Sequence, residues 1–179
     1  VEEADAIGGR PMGIPKTGIF GLMDLVGLDL MPHIARSMLA TLPDNDPYRA
    51  ESREHPVITK LIADGYTGRK GKGGFYRVNK AGGGKVKEAV DLTTGAFRPA
   101  ERPKPDAVSA AGKDLRALVE HDSPGGRFAR SVLVKTLAYA ASLVPDIADG
   151  ITAVDEGMRL GYNWRQGPFE LIDRIGTAA

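Results

Sequence analysis

Gly18-Ile19-Phe20-Gly21-Leu22-Met23-Asp24-Leu25-Val26-Gly27 is answered near the end of the chain by Gly167-Pro168-Phe169-Glu170-Leu171-Ile172-Asp173-Arg174-Ile175-Gly176. Gly18, Phe20, Leu22, Asp24 and Gly27 match Gly167, Phe169, Leu171, Asp173 and Gly176 at a constant offset of 149 residues, without a gap. Two copies at that separation indicate a duplicated supersecondary unit, not the short-period array of a solenoid. Each copy reads as a short helix. Pro168 suits the first helical position, where its missing N–H removes no bond, Glu170 puts negative charge at the N-terminal end of the dipole, and Gly27 and Gly176 act as stops. Phe20, Met23 and Val26, like Phe169, Ile172 and Ile175, give each copy an apolar stripe too short to stand alone. Asp24 and Asp173 have no His, Cys or second acid beside them, so they read as structural groups that bind a neighbouring loop.

The repeat extends upstream. Val1–Ile7 resembles Ile151–Gly157, with Asp5 opposite Asp155 if one residue is dropped, and Thr152 with Asp155 reads as a capping box. Phe128–Val144 has the strongest helical pattern in the chain, carrying Leu133, Leu137, Ala140 and Val144 inward. It has no counterpart before Val1, so the first copy reads as starting inside its own equivalent helix, and the chain as a piece of something longer. Between the copies, Asp29 is positioned to cap a helix with Leu30, Met31, Ile34, Ala35, Met38 and Leu42 on one side, and Pro56 opens a shorter helix with Val57, Leu61 and Ile62. Phe75–Val78 and Lys85–Val90 flank Asn79–Gly84 as a small peripheral hairpin. The prolines at 99, 103 and 105 mark an extended linker, followed by a weak helix that Ser123-Pro124-Gly125-Gly126 breaks. These readings divide the chain into a first helical unit with hairpin at 1–92, a linker at 93–122 and a second helical unit at 123–179.

With 42% hydrophobic residues in 179, the chain can bury one substantial core or two small ones. Its 24 basic and 23 acidic residues are interspersed, for a net charge of +1, which gives no general pull toward nucleic acid or anionic membrane. The absence of Cys excludes disulfides, thiolate metal sites and Cys nucleophiles, and suits a reducing compartment; the cytoplasm is the expected location. No apolar run has the length of a membrane span. His33 reads as a packed or surface residue, His121 has no evident partner, and Tyr162 with Trp164 reads as an aromatic plug beneath a helix pair. The glycine- and lysine-rich run Gly68-Arg69-Lys70-Gly71-Lys72-Gly73-Gly74 follows a helix and precedes a strand. This is the reverse of a P-loop, so a tight structural loop is the favoured reading and a phosphate-binding module the alternative.

Gly13–Phe20 through Asp24–Asp29, followed by Gly71-Lys72-Gly73-Gly74-Phe75-Tyr76, resembles the C-terminal helical domain of 3-hydroxyacyl-CoA dehydrogenases. Leu160–Asp173 resembles the duplicate copy in two-domain members, particularly those fused to an enoyl-CoA hydratase. The resemblance implies an all-α fold of duplicated units like the C-terminal domain of 6-phosphogluconate dehydrogenase, with the small hairpin added. It implies NAD-dependent oxidation of a 3-hydroxyacyl-CoA in fatty acid β-oxidation. The partners implied are the acyl-CoA substrate, the protein's own Rossmann domain, a hydratase domain and a homo-oligomer. The family's catalytic His and Glu belong to the Rossmann domain and its substrate-holding Asn to a helix before Val1, so no catalytic, cofactor-binding or metal residue is assigned here. What remains for this piece is a wall of the acyl-CoA cleft, at Pro15, Lys16, Thr17, Gly18 and Phe20, and the interface by which helical units pair. A purely structural dimerisation module stands as the alternative.

Overall fold

The computed structural model describes residues 1–176. It is mainly helical: α1 Glu2–Ile7, α2 Gly18–Val26, α3 Met31–Thr41, α4 Tyr48–Glu51, α5 Pro56–Ala63, α6 Asp106–Ala111, α7 Leu115–Glu120, α8 Pro124–Ser142, α9 Ile151–Tyr162 and α10 Pro168–Ile175. Short 3₁₀ turns occupy Arg10–Met12 and Leu28–Leu30. The strands β1 Tyr76–Asn79, β2 Val86–Val90 and β3 Phe97–Pro99 form one antiparallel sheet in sequence order. The expected hairpin therefore gains a third strand, because Val90 and Ala89 pair with Phe97 and Arg98. No single helix among the described residues is long and apolar enough to cross a membrane.

The chain folds as two compact units that alternate along the sequence. Val1–Glu2 and Phe20–Glu101 form the first; Glu3–Ile19 and Arg102–Ala179 form the second. The division thus differs from the consecutive 1–92 and 123–179 expected from the repeat.

In the first unit, Leu28, Leu61, Phe75 and Val90 are buried together, and Phe20 and Met23 of α2 pack on them. Phe20 meets Phe75 edge-on at 4.6 Å between ring centroids, the arrangement the ring quadrupoles favour. Arg77 ties the sheet to the turn after α5. Its guanidinium donates to Glu88 at 2.6 Å and to the Tyr66 hydroxyl at 2.7 Å, and lies 4.0 Å from the Phe97 ring centroid. Glu2 receives both guanidinium nitrogens of Arg98, at 2.7 and 3.1 Å, and the Glu101 N–H at 2.9 Å. α3 departs from the expected pattern. It buries no residue, and Asp29 pairs with Lys70 instead of capping the helix.

In the second unit, Ile7, Met12, Leu115, Leu118, Leu133 and Leu171 are the centre of the core. Residues 93–122, read as a linker with a weak helix, supply β3, α6 and α7 and bury Ala107, Leu115, Leu118 and Val119. The weak pattern has a physical cause. Gly112 turns the chain at φ 59° and Asp114 caps α7 by accepting from the N–H groups of Arg116 and Ala117, so one continuous period is replaced by two short helices. The supposed breaker Ser123-Pro124-Gly125-Gly126 is the start of α8. Ser123 caps it, Pro124 takes the first turn, and a side chain on Gly126 would overlap the His121 carbonyl.

The two copies of the motif belong to different cores: Phe20 and Met23 to the first unit's, Leu171, Ile172 and Ile175 to the second's.

Candidate functional site

The second unit holds an open groove of about 490 Å³, lined by Arg10 and Gly13–Thr17 on one side and by Asn163 and Arg165 on the other. Backbone geometry brings these two stretches together. Met12, fully buried, anchors the 3₁₀ turn, and Gly13 closes it at φ 77°, a left-handed conformation that glycine adopts without strain. Asn163 ends α9 in the left-handed region at φ 55° and donates its N–H to the Met158 carbonyl. Two residues on, the Arg165 N–H donates to the Gly13 carbonyl at 2.9 Å, which fixes one wall against the other. Half-buried Trp164 packs on the core beneath, whereas Tyr162, expected to share the plug, is 66% exposed.

The lining carries three cations, Arg10, Lys16 and Arg165, and no acid. All three are exposed, and none forms an ion pair among the described residues. The Thr17 hydroxyl oxygen is buried without a hydrogen-bond partner among the described residues, an arrangement that costs about 1–3 kcal/mol unless a partner arrives. No carboxylate, imidazole or thiol lines the groove; what it offers is positive charge and neutral hydrogen-bond donors.

Of the five cleft residues expected from the sequence, the groove gathers Pro15, Lys16 and Thr17. Gly18 is buried at φ 70°, where a side chain would overlap the Asp5 carboxyl, and Phe20 packs on Phe75 in the first unit. Arg10, Asn163 and Arg165 were not foreseen. A signal for two of them lies in the repeat itself: at the offset of 149, Ile14 corresponds to Asn163 and Lys16 to Arg165. The groove is lined by equivalent positions of the two copies.

The glycine-rich loop of the first unit has a different task. Asp24, 3% exposed, accepts the N–H groups of Phe75 at 2.7 Å and Tyr76 at 2.8 Å, and its backbone carbonyl accepts the Arg69 N–H at 2.8 Å. Gly68 donates to the Gly73 carbonyl at 2.7 Å across the loop, and a side chain on Gly68 or Gly74 would overlap Asp24. The loop does cradle an anion, and that anion is the chain's own carboxylate. Two of its cations are also engaged. Lys70 lies 2.8 Å from Asp29 and holds that carboxyl below its ordinary range, and Lys72 reaches the Asp64 carbonyl at 3.2 Å. These bonds build the loop around Asp24, which favours the structural reading of Gly68–Gly74 over the phosphate-binding alternative.

Asp155 does the corresponding work in the second unit, though not as the capping box expected with Thr152. It is 8% exposed and accepts the N–H groups of Phe169 at 2.8 Å and Glu170 at 3.3 Å, capping α10 from outside, while Glu170 accepts from Gly167 at 2.8 Å. His33 is exposed and shares a bond with Arg36 at 2.8 Å. His121 meets the Ser123 hydroxyl at 2.9 Å, beside the start of α8.

Residues 1–78 match the family model for the 3-hydroxyacyl-CoA dehydrogenase C-terminal domain. The chain is 40% identical over 161 residues to a putative fatty acid oxidation complex trifunctional enzyme of Rickettsia felis, covering 90% of this chain and 22% of that protein. It is 37% identical to one of the same description in Rickettsia prowazekii, covering 94% and 23%. It is 33% identical to a probable 3-hydroxyacyl-CoA dehydrogenase of Bacillus subtilis, covering 98% and 22%. The chain therefore spans about a fifth of the length of these relatives. No solved structure matches it.

Proposed function

Residues 1–78 belong to the 3-hydroxyacyl-CoA dehydrogenase C-terminal domain family, and from that premise we propose that the chain is the C-terminal part of an NAD-dependent 3-hydroxyacyl-CoA dehydrogenase of fatty acid β-oxidation, working in the cytoplasm. Its own contribution is a wall of the acyl-CoA cleft. The observation that carries this reading is the meeting of Pro15, Lys16 and Thr17, within the family-matched stretch, with Arg10, Asn163 and Arg165 around one groove. A Rossmann domain, and a hydratase domain in an arrangement like the trifunctional relatives, complete the enzyme in this reading.

The described residues do not fit NAD. Their sheet is antiparallel in sequence order, without the parallel βαβ crevice and glycine-rich strand-to-helix turn that hold a dinucleotide pyrophosphate. Hydride transfer is accordingly assigned to no residue here, and the chain serves binding and assembly. In the full-length enzyme, Thr17→Ala should raise KM for a 3-hydroxyacyl-CoA several-fold while KM for NAD stays unchanged. The 179-residue chain alone should not bind NAD with micromolar affinity by calorimetry, and such affinity would overturn the assignment.

The exposed apolar side chains Leu25, Val26, Leu30 and Ile34 favour a second reading, a helical pairing module. Ile34→Glu should then lower the sedimentation coefficient of a self-associating chain, and an unchanged value would remove this reading.

A further inference from the structure

Cations elsewhere in the second unit find acids: Arg116 pairs with Glu120 and Arg159 with Glu170, each at 2.7 Å. Arg10, Lys16 and Arg165 do not, although they line one groove together. The Arg165 backbone is fixed by its bond to Gly13, so the guanidinium is carried on an anchored wall. Lys16 stands at the equivalent position of the other copy. Beside them are the Asn163 side-chain amide, a neutral donor, and the Thr17 hydroxyl, which lacks a partner among the described residues.

We propose that this groove is a phosphate-binding site for a ligand carrying at least two phosphate groups, and that it is built by the duplication, since each copy supplies one of the two equivalent cations. The charge count decides the ligand class. A carboxylate would neutralise one of three cations, whereas a diphosphate or a bisphosphorylated nucleotide neutralises two or three and offers oxygens for the two-pronged bonds of Arg. Size agrees, because about 490 Å³ falls within the range of small-molecule pockets and exceeds what a single inorganic phosphate needs. Under the dehydrogenase reading the ligand is the phosphorylated nucleotide end of coenzyme A. This inference deepens that reading and rests on it only for the identity of the ligand.

The test titrates the 179-residue chain with pyrophosphate, adenosine 3′,5′-bisphosphate, coenzyme A and NAD, following binding by calorimetry at low and moderate salt. Pyrophosphate and the bisphosphate should bind, more weakly as salt rises, and NAD, whose two internal phosphates carry one charge each, should bind much more weakly than either. The double variant Lys16→Ala/Arg165→Ala should lose at least about tenfold in affinity, the charge-retaining Lys16→Arg/Arg165→Lys should keep most of it, and Lys80→Ala, on the β1–β2 turn, should change nothing. All of these side chains are exposed, so melting temperatures should be unaltered. No binding of either phosphate compound at millimolar concentration, or equal affinity in the double alanine variant, would overturn the site. The ligand arms separate this from the dehydrogenase reading. Binding of coenzyme A that the double variant leaves intact keeps the enzyme assignment and removes the groove. Binding of pyrophosphate that exceeds that of coenzyme A keeps the groove and removes its place in the acyl-CoA cleft.

Discussion

α2 and α10 carry the same five residues at the same spacing, and they bury opposite ones. In α10, Leu171 is fully buried and Asp173 is exposed; in α2, Asp24 is 3% exposed and Leu22 is 39% exposed. The inward face has moved by one residue, roughly 100° around the helix. The ends of the motif stay alike. Gly18 and Gly167 are both too close to an upstream aspartate, Asp5 or Asp155, to carry a side chain, and Gly27 and Gly176 both adopt positive φ, 114° and 87°. The reason for the rotation lies outside the motif. The first copy is followed by a glycine-rich loop whose N–H groups need an acceptor, and Asp24 supplies it. Identity in a repeat specifies the backbone frame, while the next partner in the chain selects which face of that frame turns inward.

The sharpest way to break this comparison is to truncate the same leucine twice. Leu171→Ala should cost about 3–4 kcal/mol in urea unfolding and Leu22→Ala less than about 1, so similar losses would deny the rotation. Next is the aspartate pair. Asp24→Ala strands two buried N–H groups and should cost about 3 kcal/mol, against a change within about 0.5 for Asp173→Ala. Equal midpoints would mean that the glycine loop does not depend on Asp24. The shared frame predicts the opposite pattern, in which Gly18→Ala and Gly167→Ala both destabilise by about 2 kcal/mol, since each places a methyl group against the aspartate of its own copy. A tolerated Gly167→Ala would show that the frame is not common to both.

The smallest effect is electrostatic. Burial works against ionisation of Glu2, but the Arg98 guanidinium and the Glu101 N–H outweigh it and lower the carboxyl from 4.5 to about 2. A depressed folded-state pKa contributes stability that is complete above pH 4.5 and lost as pH falls toward 2. With Arg98 39% exposed, solvent screening reduces this to about 1 kcal/mol. Acid titration should show that loss, and Glu2→Gln should shrink the fall in stability between pH 5 and pH 2 by that amount, the lowered Asp29, Glu88 and Asp91 carboxyls supplying the rest.

The helical character and the strands at 76–79 and 86–90 were legible because each rests on local pattern: a period, a cap or a turn. α8 was legible in its interior but not at its start, where Ser123-Pro124 could be read equally as a breaker or as a cap. The core role of Leu115, Leu118 and Val119 was hidden because α7 is a six-residue helix, too short for a period to show. The alternation of the two units was hidden for a different reason. No local signal says that Glu3–Ile19 packs with residues beyond Arg102. In the groove, Pro15, Lys16 and Thr17 were found by resemblance, whereas Arg10 and Arg165 are ordinary surface cations until the Gly13 carbonyl brings the two stretches together.

The alternating units also set an order of events during synthesis. Ile7 and Met12 are each 1% exposed or less in the finished protein, yet the residues that cover them lie after Arg102. The ribosome must add the 82 residues from Phe20 to Glu101 first, a delay of roughly 4–16 s at about 5–20 residues per second. α1, at six residues, cannot hold its shape alone for that time. The first unit, by contrast, has all its parts once Glu101 has emerged. Residues 3–19 are therefore translated before the inserted unit and buried after it, and during that interval Ile7 and Met12 are open to chaperones and to neighbouring nascent chains.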